Sequence, residues 1–260
     1  MSIGADSGVQ AVGAAVRQAA GHAGGLAVLT GAGMSAESGI PTFRDAMSGL
    51  WSRFDPAALA SEEGFRDDPA RVWQWYAERR DGVRLAEPNA GHRALGDFAR
   101  RHPGALTVIT QNVDDLHQRA GNADAIRLHG DILADRWLQR CPQGRACAPE
   151  AAPPGTPPRC MDCGNLVRPD VVWFGEMLPT AAMAAAEAAV QRCRLLLVVG
   201  TSGAVWPAAG LAGQARRAGA RVVIVNPHPS EIDDEAHEHL RGTAATLLPL
   251  LLADDRHEPR

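Results

Sequence analysis

The segment from residue 26 to residue 45, LAVLTGAGMSAESGIPTFRD, constrains the fold of this chain more than any other part of its sequence. It begins with a short apolar run, Leu26–Thr30, which is typical of a buried strand. Gly31, Gly33 and Ala36 then supply the small residues of a G-x-G-x-x-G/A turn. That pattern leads from a strand into a helix and accepts a dinucleotide pyrophosphate at the helix N-terminus. The segment therefore predicts an open α/β sheet with a dinucleotide site at one strand end.

The residues after the turn depart from an ordinary dinucleotide-binding helix. Gly39 and Pro41 end the predicted helix early, and Phe43, Arg44 and Asp45 add an aromatic, a cationic and an anionic side chain. A glycine-rich turn can also serve only to pack a helix on a sheet, so the turn alone is not decisive. Its tail favours a loop that lies over the ligand.

Further apolar runs along the chain resemble the first one. Each is short and ends in a small or polar residue, and Ala-rich helical patterns separate the runs, which favours parallel strands with helices on both faces. The predicted strands are Leu26–Thr30, Leu106–Thr110, Ile126–Leu128, Leu195–Val199 and Val222–Val225. The predicted helices include Val9–Ala20, Ala90–Arg101, Thr180–Gln191 and Pro207–Ala218. We therefore predict a Rossmann-like, doubly wound parallel sheet of the α/β class.

Two segments do not follow this alternation. Residues 46–89 read as helices without a strand, and residues 135–170 carry four cysteines and many prolines. We interpret both as insertions that form a smaller domain, partly helical and partly a cysteine module. The Rossmann-like domain then consists of residues 1–45, 90–134 and 171–260.

The cysteines of the second insertion predict a metal site. Cys160 and Cys163 are separated by two residues, a spacing that brings two thiolates onto one tetrahedral Zn²⁺ ion. The gap between Cys141 and Cys147 is wider, which leaves open the alternative that the thiols are simply packed. Four thiolates would close the coordination sphere, so we predict a structural zinc ion. Cys193 enters an apolar run and is predicted to be a buried free thiol.

The composition excludes several classes of function. The formal net charge is −4, and the 26 basic residues are all arginine because the sequence contains no lysine. This balance argues against a nucleic-acid-binding surface. The N-terminal residues lack a basic, apolar signal segment, and no run is long enough to span a bilayer. We expect a cytoplasmic protein that binds neither nucleic acid nor membranes, and five cysteines in that reducing compartment favour metal binding or packing over disulfides.

Polar side chains follow the predicted strands at their carboxyl ends, where open α/β sheets bind ligands. His129 ends one strand and is the leading candidate for a general base. Gln111, Asn112 and Asp114 follow another and could bind a ribose, a carboxamide or a water molecule. His92 and His117 are predicted to be structural, with Asn89 as the N-cap before His92.

These motifs, taken in order, resemble the motif set of the sirtuins, which are NAD-dependent protein lysine deacylases. The matching segments are GAGMSAESGIPTFRD at 31–45, TQNVDDLHQRAG at 110–121, LHG at 128–130, RPDVVWFGE at 168–176, GTS at 200–202, and Asn226. The resemblance covers roughly residues 24–250. It implies a Rossmann-type domain with a small zinc-binding domain, NAD as co-substrate, and acyl-lysine proteins or peptides as partners.

The resemblance also implies roles for individual residues. His129 would be the catalytic base, supported by Asn112 and Asp114, while the acyl group passes from lysine to ADP-ribose and nicotinamide leaves. Val172, Trp173 and Phe174 would flank the substrate peptide. The residues implied around NAD are Gly31, Ala32, Gly33, Ser35, Ala36, Glu37, Pro41, Thr42, Phe43, Arg44, Gln111, Asn112, Asp114, Gly200, Thr201, Ser202, Asn226, Pro227, His228 and Ala244.

A finer signal lies in the helical insertion. Tyr76 and Arg79 are three residues apart, so they share one face of a helix. The pair resembles the Tyr-x-x-Arg motif of class III sirtuins, which binds the distal carboxylate of succinyl- or malonyl-lysine. The alternative places Tyr76 in the core and Arg79 in solvent. We predict a desuccinylase and demalonylase for which acetyl-lysine is a further substrate.

Three other functions stay open at this point. A sirtuin-like mono-ADP-ribosyltransferase would share NAD cleavage but would label a protein. A non-catalytic NAD sensor would use the zinc module to bind partners. A conventional oxidoreductase is the least favoured, because Trp51 stands where an acidic ribose-binding residue would be expected. The sequence does not determine the oligomeric state, for which we expect a monomer.

Overall fold

The computed structural model describes residues 3–41, 55–150 and 152–254. Its strands are β1 (Leu26–Thr30), β2 (Leu106–Thr110), β3 (Ile126–Arg127), β4 (Gly130–Trp137), β5 (Val167–Val171), β6 (Leu195–Val199), β7 (Arg221–Val225) and β8 (Glu238–Leu240). Its α-helices are α1 (Ile3–Ala20), α2 (Pro56–Leu59), α3 (Glu62–Asp67), α4 (Pro69–Leu85), α5 (Ala90–Arg101), α6 (Leu116–Arg119), α7 (Thr180–Arg192), α8 (Gly210–Arg217) and α9 (Ala244–Leu251).

Six strands form one parallel sheet in the order β3-β2-β1-β6-β7-β8. Strand β1 lies at the centre, with Thr30 in register with Thr110 of β2 and with Val199 of β6. The chain order runs outward from β1 in both directions, which is the arrangement of doubly wound folds. The predicted fold class is confirmed. Ligands in such folds bind where the order reverses, at the carboxyl ends of β1 and β6.

The sheet is buried on both faces, and alternate side chains of each strand enter different cores. Leu26 and Val28 pack with α1, α5 and α9, whereas Ala27 and Leu29 pack with α7 and α8. All five residues of β1 are buried. Continuous apolar runs in the sequence reflect this double burial, because neither face of a central parallel strand meets water.

A third core lies outside the sheet and joins the two insertions. It contains Phe65 from α3, Trp75 and Tyr76 from α4, and Trp173, which follows β5. Strands β4 and β5 form a separate antiparallel pair. The cysteine segment connects β4 to β5, and helix α4 contacts both of these strands. Helix α4 therefore packs against the small unit that consists of β4, β5 and the cysteine segment. The domain limits stay a prediction; the proposed limit between residues 134 and 135 falls within β4.

Some predicted elements differ from the structure at their ends. The helix predicted from Pro207 begins at Gly210, since residues 206–209 form turns. Strands β4, β5 and β8 and helix α9 were not predicted, because their segments lack the long apolar runs that mark the central strands. The glycine-rich turn leads into two short 3-10 turns, Ala32–Met34 and Ala36–Ser38, where the sequence predicted the first turns of an α-helix.

The longest described helix is α1, with 18 residues. None of the helices within the three described ranges combines the length and the apolar character that crossing a bilayer requires. The cytoplasmic location stays a prediction.

Candidate active site

A cavity of about 570 Å³ opens at the carboxyl ends of β1, β2 and β3 and extends to helix α4. One end is polar and is formed by residues that follow the strands of the sheet. The other end is aromatic and is formed by α4 and the segment after β5. Its lining includes Ala32, Ser35, Pro41, Tyr76, Arg79, Gln111, Asn112, Asp114, His129, Val172, Trp173 and Phe174. The structure thus gathers in one cavity twelve of the residues that the sequence singled out.

Glycines bring the loops after β1 and β6 into direct backbone contact. A Cβ on Gly33 would lie 2.8 Å from the Cα of Gly200, and one on Gly31 would lie 2.8 Å from the Cβ of Thr201. Gly200 itself has φ +61°, and a Cβ there would lie 2.5 Å from the backbone nitrogen of Met34. These glycines are therefore required for the close approach of the two loops, at the crevice where a doubly wound sheet receives a dinucleotide.

A buried hydrogen-bonded group lies beside this turn. The hydroxyl of Ser35 donates to Asp114 Oδ2 over 2.9 Å and accepts a hydrogen bond from Asn112 Nδ2 over 3.0 Å. The backbone N–H of Leu116 donates to Asp114 Oδ1. Burial raises the pKa of Asp114, while the bonds from Leu116 and Ser35 oppose that shift. The arrangement fixes the carboxamide of Asn112 and the carboxylate of Asp114 at one wall of the cavity.

His129 lies next to this group with one ring nitrogen already engaged. Its Nδ1 lies 2.9 Å from the backbone oxygen of Gln111, which can only accept, so Nδ1 carries the proton in the neutral ring. Nε2 is then left as a lone-pair acceptor. Burial lowers the pKa of His129, and the bond to Gln111 opposes that shift. A neutral imidazole with a free lone pair in a ligand cavity is suited to general-base chemistry.

The remaining residues predicted around NAD lie on the far side of the glycine contact. Thr201 connects them: its hydroxyl accepts a hydrogen bond from Gln111 Nε2, and its backbone oxygen accepts one from Asn226 Nδ2 over 3.0 Å. Ser202, Pro227 and His228 are exposed at this edge of the sheet. The structure thus places them beyond the loop contact, outside the lining of the cavity.

Two other predicted residues meet at the start of α9. A carboxylate oxygen of Glu37 accepts a hydrogen bond from the backbone N–H of Ala245 over 3.0 Å. Ala244 is buried in the core on the α1 side of the sheet. Ala36 is exposed, and Thr42, Phe43 and Arg44 lie outside the described residues. The roles of all these residues toward NAD stay predictions.

At the aromatic end of the cavity, Tyr76 and Arg79 lie together on α4. Tyr76 is 2% exposed, and its phenol oxygen accepts a hydrogen bond from the indole Nε1 of Trp173 over 2.9 Å. The guanidinium of Arg79 lies 4.7 Å from the ring centroid of Trp75 and 5.6 Å from that of Tyr76. Burial raises the pKa of Tyr76 and lowers that of Arg79. Arginine nevertheless stays protonated at neutral pH.

The three residues predicted to flank a peptide differ in their surroundings. The backbone N–H of Val172 donates to the backbone oxygen of His129, which joins this segment to the end of the strand that carries His129. Phe174 is 53% exposed and lines the cavity, as does the exposed Trp206. Trp173 is only 2% exposed and points toward Tyr76. Phe174 is therefore largely exposed at the cavity, whereas Trp173 belongs to the interior of the pocket.

Three of the four predicted zinc ligands come together. The Sγ atoms of Cys141, Cys147 and Cys163 lie within 4.8 Å of one another. Cys160 is adjacent, since its thiol interacts with those of Cys147 and Cys163. All four are free thiols. A cluster of thiols that are not bonded as disulfides fits the tetrahedral thiolate sphere of a structural Zn²⁺ ion, which leaves no open position for catalysis. The predicted buried thiol of Cys193 is confirmed.

A pair of buried histidines beneath the site was not predicted as a unit. The rings of His92 and His117 lie 4.9 Å apart, and His117 Nε2 lies 3.0 Å from the hydroxyl of Thr30. Burial lowers the pKa of His92 to about 4 and that of His117 to about 3. The predicted N-cap Asn89 is confirmed, as it accepts hydrogen bonds at the start of α5. No local pattern links the two histidines, which belong to different helices.

Comparison with known proteins agrees with this site. A model of the Sir2 family matches residues 31–207. An NAD-dependent protein deacylase of Ralstonia nicotianae is 53% identical over 226 residues, which cover 87% of this chain and 90% of that protein. NAD-dependent protein deacylase 1 of Pseudomonas aeruginosa is 50% identical over 232 residues, covering 87% and 92%.

Solved structures show the same likeness. A Sir2 homologue in complex with NAD superimposes with a TM-score of 0.77 at 43% identity, covering 87% of each chain. Sir2Tm bound to a propionylated peptide superimposes with a TM-score of 0.70 at 29% identity, covering 86% of this chain and 90% of that one. The family match spans both the glycine-rich turn and the cysteine segment. The chain belongs to the Sir2 family.

Proposed function

We propose that this chain is an NAD-dependent protein lysine deacylase that favours succinyl- and malonyl-lysine and also accepts acetyl-lysine. Its products would be free lysine, nicotinamide and O-acyl-ADP-ribose. One observation carries the acyl preference. Arg79, at the wall of the cavity that also contains His129, makes no hydrogen bond or ion pair to any residue that the structure describes. Its guanidinium is available to a ligand.

Relatives of this chain support the general activity. The Ralstonia and Pseudomonas proteins, at about half identity over most of their lengths, are NAD-dependent protein deacylases. Solved Sir2 structures contain NAD in one case and an acylated peptide in another. The cavity of this chain contains groups suited to such a reaction, among them His129 and Asn112. Acyl-lysine proteins or peptides are accordingly its proposed partners.

The polar end of the cavity is suited to binding NAD and moving a proton. NAD, when bound, supplies the ADP-ribose that accepts the acyl group. His129 Nε2 would take a proton from a ribose hydroxyl, because Nδ1 is held by the Gln111 carbonyl. The Ser35 hydroxyl fixes Asn112 and Asp114, so neither side chain needs to reorganise when the ligand arrives.

The aromatic end is suited to an acyl chain that ends in a carboxylate. Trp75 and Tyr76 supply apolar walls, and Arg79 supplies a planar cation that can bind both carboxylate oxygens. The ring of Trp75 lies beneath the guanidinium, so the cation is held near the cavity before a ligand binds. A carboxylate brought into this partly buried place would therefore meet a charged, oriented partner.

We also propose that the four cysteines bind zinc as a structural ion. The cluster lies on the segment between β4 and β5, away from the cavity lining, so the ion would stabilise the small unit without touching the reacting groups. Zinc-binding of this closed kind contributes to folding free energy. Cys141, Cys147, Cys160 and Cys163 are the proposed ligands.

An assay on one peptide bearing acetyl-, malonyl- or succinyl-lysine tests this proposal. We expect NAD-dependent loss of the acyl group, with equal amounts of nicotinamide and O-acyl-ADP-ribose and the largest kcat/KM for the two acidic acyl groups. Labelled NAD should leave no label on protein. Label on protein without deacylation would instead indicate mono-ADP-ribosyl transfer, and the absence of nicotinamide release would indicate a non-catalytic NAD sensor. A higher kcat/KM for acetyl-lysine would contradict the acyl preference.

A further inference from the structure

We infer that Trp173 is a positioning residue that turns the hydroxyl proton of Tyr76 toward the cavity, where a ligand acceptor can take it. The inference rests on the proposed acidic-acyl preference and extends it to a residue outside helix α4. It assigns the selection of a carboxylate to a pair of aromatic side chains that are 97 positions apart in the chain.

The hydrogen bond between Trp173 and Tyr76 has a fixed direction. An indole N–H can only donate, so in the 2.9 Å contact between Trp173 Nε1 and the Tyr76 oxygen the phenol must be the acceptor. The phenol retains one proton of its own. Among the residues that the structure describes, none accepts it. Because Tyr76 lines the cavity, that proton is offered to whatever binds there.

The packing around Trp173 keeps its indole N–H directed at Tyr76. Trp173 is almost completely buried, and the guanidinium of Arg168 lies 3.3 Å from its ring centroid. The ring of Phe65 lies 5.2 Å away. The backbone N–H of Trp173 donates to Glu176 Oε2 over 2.9 Å, so the backbone of this residue is held as well as its ring. The donor is therefore preorganised.

Arg168 itself is occupied within this structure and is not free to bind a ligand. It is fully buried, it donates to the backbone oxygen of Val171 over 2.6 Å, and it forms an ion pair with Glu176. Arg136 adds a second cation beside Glu176, at 3.1 Å. The positive charge of Arg168, which packs on the Trp173 ring, is thus neutralised by Glu176. Arg79 is left as the guanidinium of this region that faces the cavity without such a partner.

Acidic and acetyl chains differ in what they gain from the oriented phenol. A carboxylate can only accept hydrogen bonds, and it would meet both the Tyr76 proton and the Arg79 guanidinium. The methyl group of an acetyl chain gains nothing from an oriented phenol proton. If Trp173 did not occupy the acceptor side of the phenol, Tyr76 could turn its hydroxyl elsewhere. The orientation of the Tyr76 hydroxyl should therefore affect the binding of acidic acyl groups much more than the binding of acetyl groups.

Kinetics of Trp173→Phe test this selection. We expect KM for a succinyl-lysine peptide to rise about tenfold, in line with loss of one oriented hydrogen bond to a charged group, with kcat little changed. Because Trp173 also lines the cavity, the two substrates are compared: KM for the acetyl-lysine peptide should rise several-fold less than KM for the succinyl-lysine peptide. In the Tyr76→Phe background the same substitution should have no further effect on succinyl-lysine. Equal losses on both peptides, or additive losses in the double variant, would overturn the inference.

A spectroscopic measurement decides the hydrogen bond independently of any substrate. Tyr76 is the only tyrosine in the chain, so the Raman Fermi doublet of tyrosine reports on this one phenol. In the wild-type protein its intensity ratio should be that of a phenol oxygen that accepts a hydrogen bond, and Trp173→Phe should lower the ratio. A wild-type ratio typical of a phenol that only donates would refute the inference without any variant.

The two measurements also separate this inference from the proposed function. Should wild-type enzyme prefer acetyl-lysine while the Raman ratio shows an accepting phenol, the acidic-acyl preference fails and the selection by Trp173 fails with it, but the hydrogen bond stands. Should the enzyme prefer succinyl-lysine while Trp173→Phe leaves KM unchanged, the function stands and the positioning role is refuted.

Discussion

The two ends of the cavity are built in different ways. At the polar end, Asn112, Asp114 and His129 follow strands of a sheet that is buried on both faces, and backbone groups or a buried serine hold them. At the aromatic end, Tyr76 and Arg79 belong to a helix of the smaller core, and other side chains hold them. The difference teaches that the reaction and the choice of acyl group depend on separate supports, so substitutions should affect one without the other.

The largest expected effect is on the reaction itself. His129→Ala removes the proposed base and should lower kcat by about a thousandfold on acetyl- and succinyl-lysine alike, because general-base catalysis is shared by both substrates. A steady-state assay of nicotinamide release measures it. Far-ultraviolet circular dichroism should be unchanged. His22→Asn, at an exposed position outside the cavity lining, is the matched control. A folded variant that retains wild-type turnover would exclude His129 as the base.

The next effect should be confined to the aromatic end. Arg79→Met keeps the apolar stem but removes the guanidinium, and kcat/KM for succinyl-lysine should fall by about a hundredfold because a charge-assisted bidentate contact is lost. Acetyl-lysine should be affected by less than about threefold. Arg84→Met, an exposed arginine further along the same helix, provides the control. Similar losses on the two peptides would show that the two ends are not independent.

Removal of the proposed zinc ion should lower the stability of the small unit that β4, β5 and the cysteine segment form. Cys147→Ser should abolish stoichiometric zinc binding, measured by elemental analysis, and should lower the melting temperature, because a closed thiolate site contributes to folding. Activity on both acyl peptides should fall together as the aromatic end loses its support. Cys193→Ser, away from the cluster, should leave the zinc content unchanged. Retention of zinc in the Cys147 variant would show that the proposed ligand set is incorrect.

The pH dependence should distinguish the histidine at the polar end from the pair beneath it. Burial lowers the pKa of His129 below its ordinary 6.5. The neutral base is the active form. We therefore expect kcat/KM to fall on the acid side with an inflection below pH 6.5, and to stay level above that pH. An inflection above 6.5 would mean that the charged form is stabilised in the site, contrary to the burial seen in the structure.

A separate effect is on stability in mild acid. His92 and His117 are neutral in the folded protein, and their folded pKa values of about 4 and about 3 lie below the ordinary 6.5 of the unfolded chain. Below pH 6.5 the unfolded state therefore binds more protons, and the stability present above that pH is lost as the pH falls. Urea unfolding between pH 6.5 and pH 4 should show a loss of about 1.4 kcal/mol per pH unit for each histidine.

His117→Gln checks this slope: it should lower the loss of stability by about 1.4 kcal/mol per pH unit, and His22→Gln is measured beside it. His22 is exposed and serves as the matched histidine control. An unchanged slope in the His117 variant would show that this ring is charged in the folded protein or that it takes up no extra proton on unfolding.

The two regions also differ in how far the sequence predicts them. Leu26–Thr30 and Leu195–Val199 were predicted with correct bounds, because a strand buried on both faces must be apolar throughout. Strand β4, Gly130–Trp137, was missed because its charged and apolar residues do not alternate regularly, and a register shift interrupts its pairing with β5. Local periodicity therefore identifies the sheet but not the small unit.

The same distinction holds for the site. His129 could be predicted because a polar residue at the end of a buried strand faces the ligand edge of the sheet. The contact between Trp173 and Tyr76 could not, because it joins distant segments through side chains that look like ordinary core residues in the sequence. The loop contact at Gly200 was likewise hidden, since a glycine after a strand does not state which backbone it meets.

That loop contact has a consequence for engineering. Gly31, Gly33 and Gly200 leave no room for a side chain between the loops after β1 and β6, so this seam tolerates almost no sequence variation. Helix α4 is held differently, because Tyr76 and Arg79 contact other side chains at the cavity and not the backbone of a second loop. A library that diversifies Tyr76 and Arg79 while preserving the seam should therefore yield enzymes with new acyl preferences and an unaltered requirement for NAD.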